Sequence, residues 1–153
     1  MSTQLSKTVN IRNKKASFQY EFIEKFEAGI QLKGTEIKSI REGKASIKEG
    51  YCGFKDGELY VFNINITPYS NASFKNHEPN RPRKLLLHKN ELNKLIKKKQ
   101  DVGLTIIPTK LFINDRGYAK LNIALAKGKK LHDKRESLKE KDAKRQIDRA
   151  MKH

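Results

Sequence analysis

The chain has 153 residues, 34 of them Lys or Arg and 17 Asp or Glu, for a net charge of +17. That length sets one domain as the expectation, and a hydrophobic share of 36%, against about 45–50% in ordinary globular chains, excludes a core that takes in every residue. The single cysteine excludes an internal disulfide, and no stretch reaches the roughly 18 apolar residues of a membrane span, so a small domain with polar extensions is expected.

Residues 1–15 read as a flexible basic lead-in, without the apolar run of a signal peptide. From Phe18 the period changes to two. Phe18, Tyr20, Phe22, Phe26, Ala28, Ile30 and Leu32 fall on even positions, with Ile23 and Glu24 breaking the pattern midway. A flat strand of that length does not fit a small domain. A bent strand is expected, with Gly29 easing the curve. "TEIKSIREG" predicts a short helix capped by Thr35, with Ile37 and Ile40 on one face and Gly43 at its end.

A hairpin follows, with "SIKEGYCGFK" and "ELYVFNINI" around Asp56-Gly57, a type I′ turn signal. Residues 67–84 read as a polar loop with three prolines, a length that is uncommon unless the loop binds something. "LLLHKNELNKLIKKK" predicts a second helix that buries Leu92, Leu95 and Ile96, with lysines at its C-terminal end suiting the helix dipole. A second hairpin joins "LTIIPTKLFI" to "YAKLNIALA". Its alternation turns Leu121, Ile123 and Leu125 one way and Lys120 and Asn122 the other, outward.

The fold class expected is mainly β with short helices, an OB-like antiparallel β-barrel over residues 16–130. After Ala126 the periodicity stops. Residues 127–153 carry eleven basic against five acidic side chains and only a thin apolar stripe of Ala143, Ile147, Ala150 and Met151. Isolated helices of this kind are marginal in water. Residues 131–153 are therefore expected to be a disordered basic tail that becomes helical on a partner. A strongly basic chain attracts polyanions. Solubility alone is the competing reading of the charge.

Catalytic chemistry finds no footing. "GTEIKSIREGKAS" lacks the glycine spacing of a phosphate-binding loop. The four histidines are scattered without metal-ligand spacing, and Cys52 sits between apolar neighbours as an inert thiol would. His132-Asp133 invites a general-base reading, but it lies where nothing would hold catalytic geometry. No enzyme activity, metal or cofactor is expected.

"FEAGIQLKGTEIKSIREGKASI", "NITPYSNAS", "RPRKLLLHKNEL" and "AKGKKLHDKRESLKEKD" resemble the SsrA-binding protein family, small protein B, over nearly the whole chain and in order. The resemblance implies an OB-fold that binds transfer-messenger RNA (tmRNA, SsrA RNA) in trans-translation. It implies entry into stalled ribosomes with alanyl-tmRNA and elongation factor Tu, the protein standing in for the missing anticodon arm. It implies that the tail folds as a helix along the vacant mRNA channel. A cytoplasmic monomer without membrane association is expected. By the same resemblance Asn13, Glu27, Leu86 and Lys120 contact RNA; for Glu27 and Leu86, burial in the core is the rival reading. Gly128 joins barrel to tail, and Lys129, Lys130, His132, Asp133, Lys134 and Arg135 contact the ribosome, with His132 at the decoding centre. The alternative is a general OB-fold RNA-binding or ribosome-associated protein with no rescue role.

Overall fold

The structure is a computed structural model that describes residues 9–129 apart from Ser73, Phe74 and Val102. The described residues form β1 (Asn10–Arg12), α1 (Ala16–Gln19), β2 (Tyr20–Ile30), α2 (Gly34–Arg41), β3 (Ala45–Ser46) and β4 (Tyr51–Lys55). These are followed by β5 (Glu58–Phe62), β6 (Asn65–Ile66), β7 (Arg83–Leu86), α3 (Lys89–Lys99), β8 (Leu104–Ile113) and β9 (Ala119–Gly128). The fold is mainly β with short helices, as the periodicities predict. One antiparallel sheet runs β1-β8-β4-β5-β7-β2-β9, and β9 also pairs with β8. A small second sheet pairs β3 with β6.

Turn chemistry and alternation build this sheet locally. Asp56 and Gly57 both have positive φ, 53° and 76°, the backbone that a two-residue type I′ turn requires. Inward side chains of the strands, among them Phe26, Ala28, Cys52, Leu59, Val61, Leu85, Ile106, Leu111, Leu121, Ile123 and Leu125, make one core. Ile40 of α2 and Leu95 of α3 are fully buried against it.

Two register shifts on either side of β9 decide which residues face out. On β2 the pairing jumps from Phe22↔Ala126 to Glu24↔Leu125, leaving Ile23 as the extra residue. One added residue exchanges the two faces of a strand. Tyr20 and Phe22 thus join Ala16, Ile107 and Ala126 in a separate cluster under α1, whereas Phe26, Ala28 and Ile30 enter the main core. The even positions from 18 to 32 are therefore not one face, because Ile23 resets the alternation. On β8 the shift lies between Pro108 and Lys110. It turns Leu111 and Ile113 inward and leaves Lys110 and Phe112 outside. The residue left out of the ladder is Thr109, and proline within a strand is tolerated beside such a bulge.

The structure corrects three expectations and adds a reason for Gly29. The lead-in expected over residues 1–15 ends earlier: Val9 is buried, and Asn10–Arg12 pairs with β8 because Val9 and Ile11 have core to cover. Residues 1–8 lie outside the described residues. Thr35 does not cap α2. The Glu36 carboxylate accepts from the Lys33 amide at 2.8 Å, and Thr35 bonds His77 instead. The helix expected from Leu85 begins at Lys89, where Glu91 reaches back to the His88 amide. Residues 83–86 are a strand, with Arg83 and Leu85 buried and Lys84 and Leu86 turned out. Gly29 serves a close approach: a Cβ there would stand 3.3 Å from Leu86 Cβ across the β2–β7 pair.

Candidate nucleic-acid interface

Residues directly opposite in an antiparallel pair share a face. The registers therefore lay two rows across the outside of the sheet. One runs Arg12, Lys110, Asn122, Glu27 over β1, β8, β9 and β2. The next runs Asn10, Phe112, Lys120, Gly29, Leu86 and ends on β7. The Lys110 ammonium stands 4.8 Å from the centre of the Phe112 ring and ties the rows together.

Two hollows open along these rows. A hollow of about 360 Å³ is lined by Glu27, Gly29, Leu86, Leu87, His88, Glu91 and Lys120. Another, of about 450 Å³, is lined by Arg12, Lys25, Phe26, Glu27, Thr109, Lys110 and Asn122. Glu27 belongs to both. Three of the four expected RNA contacts, Glu27, Leu86 and Lys120, thus meet at one place from three different strands.

The rival burial readings for Glu27 and Leu86 fail on exposure. Glu27 is exposed, and Leu86 is 49% exposed beside a Leu85 that is 2% exposed. Neither the Glu27 nor the Lys120 side chain has a hydrogen bond or ion pair with another described residue; the carboxylates that do are Glu24, Glu36, Glu42, Glu58 and Glu91. A free carboxylate offers acceptors only and an ammonium donors only. Side by side they suit a ligand bearing amino groups and phosphates.

Asn13 stands apart from this hollow. Its amide N–H donates to the Thr109 carbonyl at 2.9 Å and its Nδ2 to the Pro108 carbonyl at 3.2 Å, clasping the β8 bulge. Its Oδ1 is buried and finds no partner among the described residues. Gly128 is exposed at the end of β9. The Lys129 amide donates to the Gln19 carbonyl at 2.9 Å, and its Nζ to that of Ser17 at 3.0 Å. The chain therefore leaves the sheet beside α1. Lys130, His132, Asp133, Lys134, Arg135 and the rest of the expected tail lie outside the described residues.

Sequence reading missed the group that secures the long loop. Glu36 and Arg83 are fully buried. Glu36 accepts from Arg83 Nε at 2.6 Å and from Arg81 Nη2 at 2.6 Å. Arg83 also donates to the carbonyls of Ile64 at 3.0 Å and Pro79 at 3.1 Å. His77 Nε2 donates to the Ile66 carbonyl at 2.8 Å, and its Nδ1 meets the Thr35 hydroxyl at 2.8 Å. Burial pushes the Glu36 carboxyl up, but Arg81, the Lys33 amide and Arg83 together hold it below its ordinary value. A charged residue on a short helix reads as solvated, and only the fold brings positions 36 and 83 together. On the far side Lys94 and Lys98 of α3 grip Glu24 at 2.5 and 2.9 Å, and these bonds lower its carboxyl pKa. Among the described residues no group of three or more His, Cys, Asp or Glu could hold a metal ion, and no helix is long and apolar enough to cross a membrane. Burial pushes the Cys52 thiol far up, as an unreactive core thiol requires.

Comparison with known proteins gives one answer. The family model described as SmpB protein matches residues 10–153. An SsrA-binding protein of Cytophaga hutchinsonii is 61% identical over 97% of this chain and 98% of its own length. One of Phocaeicola vulgatus is 58% identical over 94% of this chain and 96% of its own. A chain of a solved structure described as "tmRNA-SmpB: a journey to the center of the bacterial ribosome" superposes with a TM-score of 0.70 at 46% identity, over 86% of this chain and 95% of that one. With similarity of this order over nearly the full length, and with Glu27, Leu86 and Lys120 lining one hollow, the chain belongs to the SmpB family of SsrA-binding proteins.

Proposed function

We propose that this protein binds transfer-messenger RNA and delivers it to stalled ribosomes for rescue by trans-translation. Family membership supports the RNA. The observation that carries the site is the meeting of Glu27, Leu86 and Lys120 in one hollow, beside a row holding Arg12, Lys110 and Asn122. In this reading Lys120, Lys110 and Arg12 take phosphates, Glu27 accepts from base amino groups, and Leu86 packs on a sugar or base. Asn13 acts from beneath by holding the bulge that keeps Lys110 outside.

The paired strands over residues 16–130 serve as an OB-like barrel, and residues 131–153 as the ribosome-probing tail. Gly128 and Lys129 set the direction in which that tail leaves. Lys130, His132, Asp133, Lys134 and Arg135 would read the decoding centre and the empty mRNA channel, with the body in place of an anticodon arm. The protein acts in the cytoplasm as a monomer, arriving with alanyl-tmRNA and elongation factor Tu. Its role is binding; no bond is made or broken by its side chains. Competition binding with the tRNA-like domain and an elongator tRNA tests the proposal. Clear preference for the tRNA-like domain is expected, and equal affinity for the two would overturn it.

A further inference from the structure

Three aromatic rings stand on the outside of the β4–β5 hairpin, where the surface described above does not use them. Tyr51 and Phe62 are paired across the strands, their ring centres 5.4 Å apart and their planes 23° from parallel. Tyr60 stands 6.4 Å from Phe62 at 36°. Tyr51 is 51% exposed although the strand's inward residue, Cys52, is buried in the core. A Cβ at Gly53 would come within 3.3 Å of the Phe62 ring, so glycine leaves that ring room to lie along the sheet. A contiguous aromatic patch on a chain with a net charge of +17 marks a contact surface.

The patch adjoins the proposed RNA surface. Tyr60 pairs with Lys84 of β7. Two residues on, on the same face, Leu86 pairs with Gly29, which pairs with Lys120. An RNA strand that leaves the Leu86 hollow across β7 would meet Lys84 and then the rings. Aromatic faces take unstacked bases of any sequence, and a neighbouring lysine takes the phosphate. We propose that Tyr51, Phe62 and Tyr60 form a stacking platform for an unpaired base of transfer-messenger RNA, extending the RNA contact around the sheet to β4 and β5. The proposal rests on the tmRNA reading above.

The test compares wild type, Tyr51→Val and Tyr51→Phe for binding to a transcript of the tRNA-like domain across a salt series, with thermal melting in parallel. Valine keeps a strand-forming side chain and removes the outer ring. Tyr51→Val should bind about 5- to 150-fold more weakly, the loss of one base–aromatic stack. Tyr51→Phe should stay within about twofold, and the salt slope should not change, since no phosphate contact is lost. Tyr51→Val that melts like wild type and binds within about twofold of it overturns the platform while leaving the function intact. Wild type that does not bind the transcript overturns the function itself. Unchanged tmRNA affinity with loss of rescue on stalled ribosomes assigns the rings to a ribosomal partner and also overturns the proposal. Should Tyr51→Val fail to fold, Tyr60→Thr on the paired strand is read by the same criteria.

Discussion

Arg83 Nε donates to Glu36 Oε2 at 2.6 Å with both side chains fully buried, and this pair joins α2 to the strand that presents Leu86. Removing one partner of a buried pair leaves the other charge uncompensated, a cost of about 3–5 kcal/mol. Glu36→Gln should lower stability by about that amount in denaturant titrations, and it should loosen the loop that Arg83 holds through Glu78 and Pro79. The same pair sets an acid limit. The carboxyl is held below its ordinary 4.5 in the folded protein, so the unfolded chain binds the proton first as pH falls. The stabilisation is complete above about pH 4.5 and is lost as pH drops through the lower folded value. Glu24, also lowered, by its bonds to Lys94 and Lys98, acts in the same direction. Denaturation curves between about pH 7 and about pH 3 should show this decline, and Glu36→Gln should flatten it.

Lys120→Ala and Glu27→Ala should each weaken binding to the tRNA-like domain while melting near wild type. Neither side chain is bonded to another described residue, so neither holds the fold. Binding by wild type should fall steeply with salt. Six to ten phosphate contacts would lose about 10³–10⁵ in affinity between roughly 50 and 200 mM. Lys120→Ala should lower the slope by about one contact, and Glu27→Ala should not, since a carboxylate releases no counterion from phosphate. Filter binding at several salt concentrations separates the two.

Leu85 and Leu86 should respond in opposite ways. Leu85 is 2% exposed and lies in the core, so Leu85→Ala should cost about 2–5 kcal/mol of stability. Leu86 is 49% exposed, so Leu86→Ser should cost far less stability and should reduce RNA affinity instead. Melting and binding measured on the two variants would exchange places if the strand register of β7 were one residue off.

A chain stopped before His132 should fold and should bind transfer-messenger RNA near normally, because it keeps the core that the described residues build and Glu27, Leu86 and Lys120. It should fail to support alanine transfer on stalled ribosomes. In the proposed role the tail folds on the ribosome, and such ordering costs about 1–2 kcal/mol of backbone entropy per residue that contacts to ribosomal RNA would offset. Tagging of stalled nascent chains at the wild-type rate by the truncated protein would refute a role for the tail.

Local chemistry was legible in the sequence by itself. Asp56-Gly57 specified a type I′ turn because two adjacent positive φ angles suit few other pairs. Alternation assigned Leu121, Ile123 and Leu125 to the core and Lys120 and Asn122 to the outside, because a strand's period is two whatever it packs against. The interruption at Ile23 and Glu24 was visible too, but its consequence was not. Whether a break ends a strand or exchanges its faces depends on the partner strand, and β9 is about a hundred residues away along the chain. The same holds for Leu85 and Leu86, which read as the start of a helix after a loop ending at Lys84 until β5 and β2 supply the ladder of β7. Tertiary structure alone decided that Glu36 is a buried anchor, that Leu86 is exposed while Leu85 is not, and that Glu27, Leu86 and Lys120 share one hollow. Each of these depends on which distant strand lies alongside, and pairing between distant segments is set by the packing of the whole core.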